Sequence, residues 1–258
     1  MNELAKRPSG QRWIGLFNAL VINAVPFWGL TRGGWAGSTL LVLYWGETLF
    51  GTVLNGLRIA LHWRLTRKRG HWGAQPPGRR WSFRQSFLAE YLGISLVFTF
   101  GHGIMLAAFL FVMSANLGVA PPDRAALERG LAWLTGALVL SFVIDLFRLR
   151  RQPFAWIRRV RDQSVQRVFI VHMTIILGAV MMAWLGKASA FFLVFALFKL
   201  LIDMVNAFGT EHIPDRPPGC LAGLMHAVAP KEDTDAVWRK SILDQRQSAA
   251  RDEEVVSR

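Results

Sequence analysis

The chain has 258 residues, of which 52% are hydrophobic and 12% aromatic, with only 18% charged residues and a formal net charge of +13. That composition, with a positive mean hydropathy of +0.29, excludes disordered, collagen-like and disulfide-rich secreted chains and is rare in a soluble single domain. The basic excess does not point to nucleic acid, because the 30 Lys and Arg residues lie between long apolar runs, which is how polytopic membrane proteins distribute charge. A single cysteine, Cys220, excludes an internal disulfide and a thiolate metal site.

A bilayer core of about 30 Å takes about 20 apolar helical residues, and six runs approach that length. The first, 13–30, follows Lys6, Arg7 and Arg12. No small-residue cleavage motif follows Pro26-Phe27-Trp28, so an uncleaved anchor is expected rather than a signal peptide. The others are 36–61, 86–117, 126–147, 167–185 and 188–208. The third is long enough to tilt or to protrude. Residues 1–212 therefore read as one all-α bundle of six transmembrane helices, and 213–258 as a polar cytoplasmic tail. Within the tail, Asp235 to Val256 suits a charged helix with Trp238, Ile242 and Leu243 on one side.

Orientation follows from the basic residues of the connections. Three precede the first run, seven lie between Arg64 and Arg84, seven between Arg148 and Arg167, and seven after Phe208. The other side holds only Arg32, Arg124, Arg129 and Lys187. Both termini are thus expected in the cytoplasm of a bacterial cell, with the chain multi-pass in its inner membrane. Eight of the eleven tryptophans, among them Trp13, Trp28, Trp63 and Trp184, fall near expected helix ends, where an indole prefers to sit. The stretch Pro153 to Arg161 alternates bulky apolar residues with arginines, which suits a short helix lying on anionic lipid at the cytoplasmic face.

Ionisable groups inside a span cost several kcal/mol unless paired, so each is a candidate site residue. They are Glu47, Arg58, His102, Asp145, His172, Lys199 and Asp203, with Asn55 and Asn206 as neutral companions. At 1.5 Å per residue, Glu47, His102 and Lys199 lie roughly 14–18 Å from the basic side, His172 and Asp203 roughly 8 Å, and Asn55 roughly 5 Å. Lys199 and Asp203 are four apart and suit a local ion pair; Asp145 and Arg148, three apart, suit another. Glu47 has no such partner on its own helix and needs one from elsewhere. His102, flanked by Gly101 and Gly103 where a helix can approach closely, is the simplest choice, and His172 is placed to meet Asp203.

Glu47, His102, His172 and Asp203 together form a conceivable shell for Zn, Fe or Mn, which accept imidazole and carboxylate ligands. No helix supplies two of them at ligand spacing. A bis-histidine haem is disfavoured, because the two histidines differ in depth by about 10 Å. Histidines and carboxylates along one half of the bundle also suit a proton path. No nucleophile-elbow, Walker or dinucleotide motif occurs.

The motifs Tyr44-Trp45-Gly46-Glu47, Phe100-Gly101-His102-Gly103, Ser141-Phe142, Arg167-Val168 with His172 and Gly178, and Lys199 with Asp203 carry a resemblance over roughly 16–212. The chain resembles a family of uncharacterised bacterial integral membrane proteins classified only as a domain of unknown function. The resemblance implies the topology and the polar positions, and no activity. The family's pattern has more histidine, including one a turn after the last-span aspartate, where this chain has Asn206 and Ala207; a metal site here would be poorer in ligands.

The function expected is a membrane protein that binds a metal ion or a proton, with translocation as the associated activity. The alternatives are an intramembrane metal-dependent enzyme, or a scaffold whose basic loops and tail recruit a cytoplasmic protein. A homo-oligomer is compatible with the sequence, and no nucleic-acid partner is expected.

Overall fold

The computed structural model describes residues 9–72, 86–164, 166, 188–208 and 234–256. Among them the chain is helical, with no strand beyond one isolated antiparallel bridge between Lys68 and Val255. The helices are α1 (Ser9–Thr31), α2 (Gly37–Thr66), α3 (Phe87–Leu117), α4 (Arg124–Arg148), α5 (154–164), α6 (Ala188–Phe208) and α7 (Thr234–Glu253). Three described segments are long and apolar enough to cross a membrane: Gly37–Thr66, Phe87–Asn116 and Arg124–Arg151. Helices α1 and α6 cover the first and sixth expected runs, and the expected fifth, 167–185, lies outside the described residues.

Helix ends follow local chemistry. Ser86 Oγ accepts the Ala89 N–H at the start of α3, and Asp123 accepts the N–H groups of Ala125 and Ala126 at the start of α4, each satisfying donors that a first turn leaves unpaired. Gly118 ends α3 at φ +61°, a left-handed conformation that costs glycine little. Arg67 ends α2 at φ +53° without that freedom, and its carbonyl accepts the N–H of Val256 at 3.1 Å. The strained turn is therefore held in place by the far end of the chain.

Helix α2 is the axis of the bundle, since it contributes to all three apolar clusters. Leu40, Leu41 and Tyr44 meet Leu106 and Met113 of α3 and Phe192, Phe195 and Ala196 of α6. Leu43 meets Ile22 of α1 and Ala126, Leu134 and Leu138 of α4. Ile59 meets Phe87 and Tyr91 of α3 and Phe154 and Ile157 of α5. Within the 153–161 stretch Phe154 and Ile157 are fully buried in this last cluster, whereas Trp156 and Val160 are half-buried.

Among the described residues, Lys68, Arg69 and Arg158 gather at one end of the bundle, and the acidic end of the tail docks on them. Glu253 Oε2 meets Lys68 Nζ at 2.5 Å, Glu254 meets Arg69 at 3.0 Å, and Asp252 pairs with Arg158. Glu253 Oε1 also accepts the N–H groups of Phe154 at 2.5 Å and Ala155 at 3.3 Å, capping α5 from a distant part of the chain. On α7, Ile242 is buried but Leu243 is exposed. Residues 238 and 242 share a face at i,i+4, whereas 243 falls on the flank. Replacing Glu253 with Ala should cost about 1 kcal/mol and speed amide hydrogen exchange in 250–256 and at the start of α5. Unchanged exchange in both segments would contradict the cap.

Beneath this docking surface lies a histidine pair. His62 Nδ1 and His71 Nε2 are 2.8 Å apart, and His62 Nε2 donates to the Gln152 carbonyl at 3.0 Å. His71 packs edge-on against Phe154 at 4.9 Å. Burial first, then the charges of His62 and Lys68, push the His71 pKa down to about 3. The unfolded chain binds this proton near pH 6.5 and the folded chain does not, so the contribution is complete above 6.5 and lost as pH falls toward 3. Thermal unfolding in detergent should show the fold weakened by about 2 kcal/mol at pH 5 relative to pH 8. His71→Phe should flatten that dependence.

Candidate functional site

A charge cannot sit alone among apolar helices, so the polar residues of the bundle interior identify its centre. Lys199 of α6 places its Nζ 2.6 Å from Asp203 Oδ2 one turn along the same helix and 2.9 Å from Glu47 Oε2 on α2. It also donates to Asn23 Oδ1 on α1 at 3.1 Å. Asn23 in turn donates through Nδ2 to Asp203 Oδ2 at 2.9 Å and to the Ala19 carbonyl at 2.8 Å. The Tyr44 hydroxyl donates to Asn23 Oδ1 at 3.4 Å, and the Tyr44 ring lies 4.5 Å from the ammonium, within cation–π range. Glu47 is 1% exposed, Asn23 2%, Lys199 5% and Asp203 8%.

The i,i+4 pair expected on α6 is thus formed, and Glu47 receives a partner from another helix in Lys199. His102 of α3 is buried, on a face that also carries the buried Ser95 and Thr99. The close approach expected at its glycine neighbours is made at Gly103, where an added Cβ would come within 2.7 Å of Trp45 Nε1. That indole donates to the Thr99 carbonyl at 3.0 Å and locks α2 to α3. His172 and the side chain of Asn206 lie outside the described residues. Among the described residues no group of three His, Cys, Asp or Glu side chains is arranged to hold a metal ion.

A second polar contact lies toward the basic end. Arg58 of α2 pairs through Nε with Asp145 Oδ2 of α4 at 2.9 Å and donates through Nη1 to Asn55 Oδ1 at 2.7 Å. Its guanidinium lies 5.3 Å from the Phe142 ring centroid. This corrects the expectation that Asp145 pairs locally with Arg148. The facing of α2 and α4 brings a buried guanidinium to the aspartate, and a buried cation needs its counter-charge more than an exposed one does.

The geometry can be set against known proteins. A family model described as "Family of unknown function (DUF6498)" matches residues 5–236. The chain belongs to this DUF6498 family. No curated protein and no solved structure matches it. The DUF6498 match covers Asn23, Glu47, Lys199 and Asp203, whereas most of α7 and the docked acidic end lie beyond it.

Asn23 and Tyr44 were not singled out by sequence reasoning as members of this centre. Both are uncharged, and only the packing of α1 and α2 around α6 brings them to Lys199. Because two buried carboxylates face one ammonium, removing the ammonium should be costly. Lys199→Met is expected to destabilise the detergent-solubilised protein by about 3–5 kcal/mol. The triple variant Lys199→Met/Glu47→Gln/Asp203→Asn should recover most of the loss, measured as the shift in thermal midpoint. A triple variant as unstable as the single one would show that the charges are not what the lysine compensates.

Proposed function

We propose that this is a multi-pass bacterial inner-membrane protein with six transmembrane helices and both termini cytoplasmic, whose Lys199 centre binds a proton and serves proton translocation. The reading is carried by one observation: a single buried ammonium lies 2.9 and 2.6 Å from two buried carboxylates. Glu47, Asp203 and Lys199 bring two carboxylates and one ammonium together in an apolar bundle, and a buried cluster of this kind is where a proton is taken up and passed on. Asn23 and Tyr44 supply neutral hydrogen bonds that persist in either state, which lets a proton enter or leave without dismantling the site.

A divalent ion bound by Glu47, His102, His172 and Asp203 is the competing occupant. Lys199 stands between two of those four ligands and opposes a second cation there, so the geometry favours the proton over Zn, Fe or Mn. An intramembrane enzyme and a scaffold find less support. The first is a metal-dependent enzyme and needs the divalent ion that Lys199 opposes, and the tail of the second engages its own basic face through Glu253 and Glu254.

Infrared difference spectroscopy on the purified full chain tests the proton directly. A carboxyl stretch that changes as the centre takes up or releases a proton is expected in the wild type and lost in Glu47→Gln or in Asp203→Asn. Both carboxylates ionised throughout would overturn the reading. So would near-stoichiometric metal in the wild type that disappears from a His102→Ala/His172→Ala variant of equal folded yield.

A further inference from the structure

A cavity of about 340 Å³ lies between α1, α2, α4 and α5, and the proton reading makes no use of it. The size falls within the range of small-molecule sites. Its two ends differ in character. Toward the middle of the bundle it is lined by Phe17, Val21, Leu138 and Leu140; toward the basic end it is lined by Asn55, Arg58, Asp145, Arg148 and Gln163. Phe17 and Leu140 are exposed at 67% and 61%, so the apolar half opens sideways, where a bilayer would lie.

The polar end carries net positive charge, because Arg58 and Arg148 face the single carboxylate of Asp145. Arg58 is 8% exposed and spends Nε on Asp145 and Nη1 on Asn55. Its Nη2 has no acceptor among the described residues. Arg148 is exposed and forms no ion pair among the described residues. A buried guanidinium with unused donors, beside a second cation and at the foot of an apolar slot, suits a phosphate oxygen carrying an alkyl chain. Trp156 also lines the cavity, and an indole suits the depth at which a headgroup meets its chains.

We infer that the cavity is a binding site for an anionic phospholipid from the leaflet at the basic end of the bundle, with the phosphate on Arg58 and Arg148 and one acyl chain between α1 and α4. Gly51 of α2 lines the slot, and an added Cβ there would meet no atom within 4 Å. The room is real space rather than a tight helix contact. Gly51→Leu therefore adds side-chain volume to the slot from a position with open space around its Cβ, and Arg148→Gln removes a headgroup contact while Asp145 keeps Arg58.

The test uses the full chain purified in neutral detergent and titrated with phosphatidylglycerol, with phosphatidylcholine, or with inorganic phosphate, lipid retention being read by native mass spectrometry. One phosphatidylglycerol per chain is expected, held about tenfold more tightly than phosphatidylcholine and weakened about tenfold by Arg148→Gln. Gly51→Leu should abolish retention while leaving the melting temperature unchanged. Inorganic phosphate should not displace the lipid, because it lacks the chain. Equal retention of the two lipids, retention untouched by Gly51→Leu, or displacement by inorganic phosphate would each overturn the assignment. Brominated-chain phosphatidylglycerol gives a second readout: it should quench that part of the tryptophan emission lost in Trp156→Phe, and failure to do so would place the lipid elsewhere.

Discussion

An ammonium buried in an apolar bundle is the constraint around which the rest of the structure is arranged. Lys199 cannot reach water from its place on α6, so its charge is answered inside the protein, and the answer comes from three helices. Asp203 is local. Glu47 and Asn23 are not, and they fix how α2 and α1 sit against α6. Packing of Leu40, Tyr44, Phe192 and Phe195 is non-directional and would tolerate a slide of one helix along another. A hydrogen-bonded charge does not tolerate it, because a one-turn slip of about 5.4 Å would leave both a cation and a carboxylate without partners. Apolar packing supplies the cohesion, and the charges select the register.

The same logic recurs along α2. Glu47 meets Lys199, Arg58 meets Asp145, and His62 meets His71 and the Gln152 carbonyl. From Glu47 to His62 the helix rises roughly 22 Å, so three polar contacts at three heights tie α2 in turn to α6, to α4, and to the connection after α4. At the basic end the acidic run Asp252 to Glu254 closes the arrangement by answering Lys68, Arg69 and Arg158. Those cations would otherwise repel one another. Their neutralisation also brings the chain's end against Arg67, where a strained turn needs support.

How much of this the sequence discloses depends on the range of each interaction. Helix positions were legible because a run of apolar residues of bilayer length is a property of the local chain; the expected 86–117 and 188–208 differ from α3 and α6 by a residue at most. The Lys199–Asp203 pair was legible for the same reason, since i,i+4 spacing places both on one face. The Arg58–Asp145 pair was not, because 87 residues separate its members and only the facing of α2 and α4 joins them. Asn23 escaped notice because a neutral amide in a span carries no charge to explain. His62 and His71 escaped because one lies just past the expected end of a span and the other in a connection. A loop histidine reads as solvated until Phe87 and Phe154 are seen to close over it.

Helix α1 links the two interior features. Val21 and Ile22 line the cavity, and Asn23, the next residue, faces Lys199 and Asp203. Successive residues of a helix point about 100° apart, so one short stretch serves both sides of α1 at once. Its hold on α4 includes a hydrogen bond from Trp133 Nε1 to the Val21 carbonyl at 2.9 Å, at the height where the two faces meet. Whatever fills the cavity packs against the same turn that positions the Asn23 amide. Because Asn23 bonds both the cation and a carboxylate of the buried trio, a displacement of that turn alters the compensation of charge at the centre.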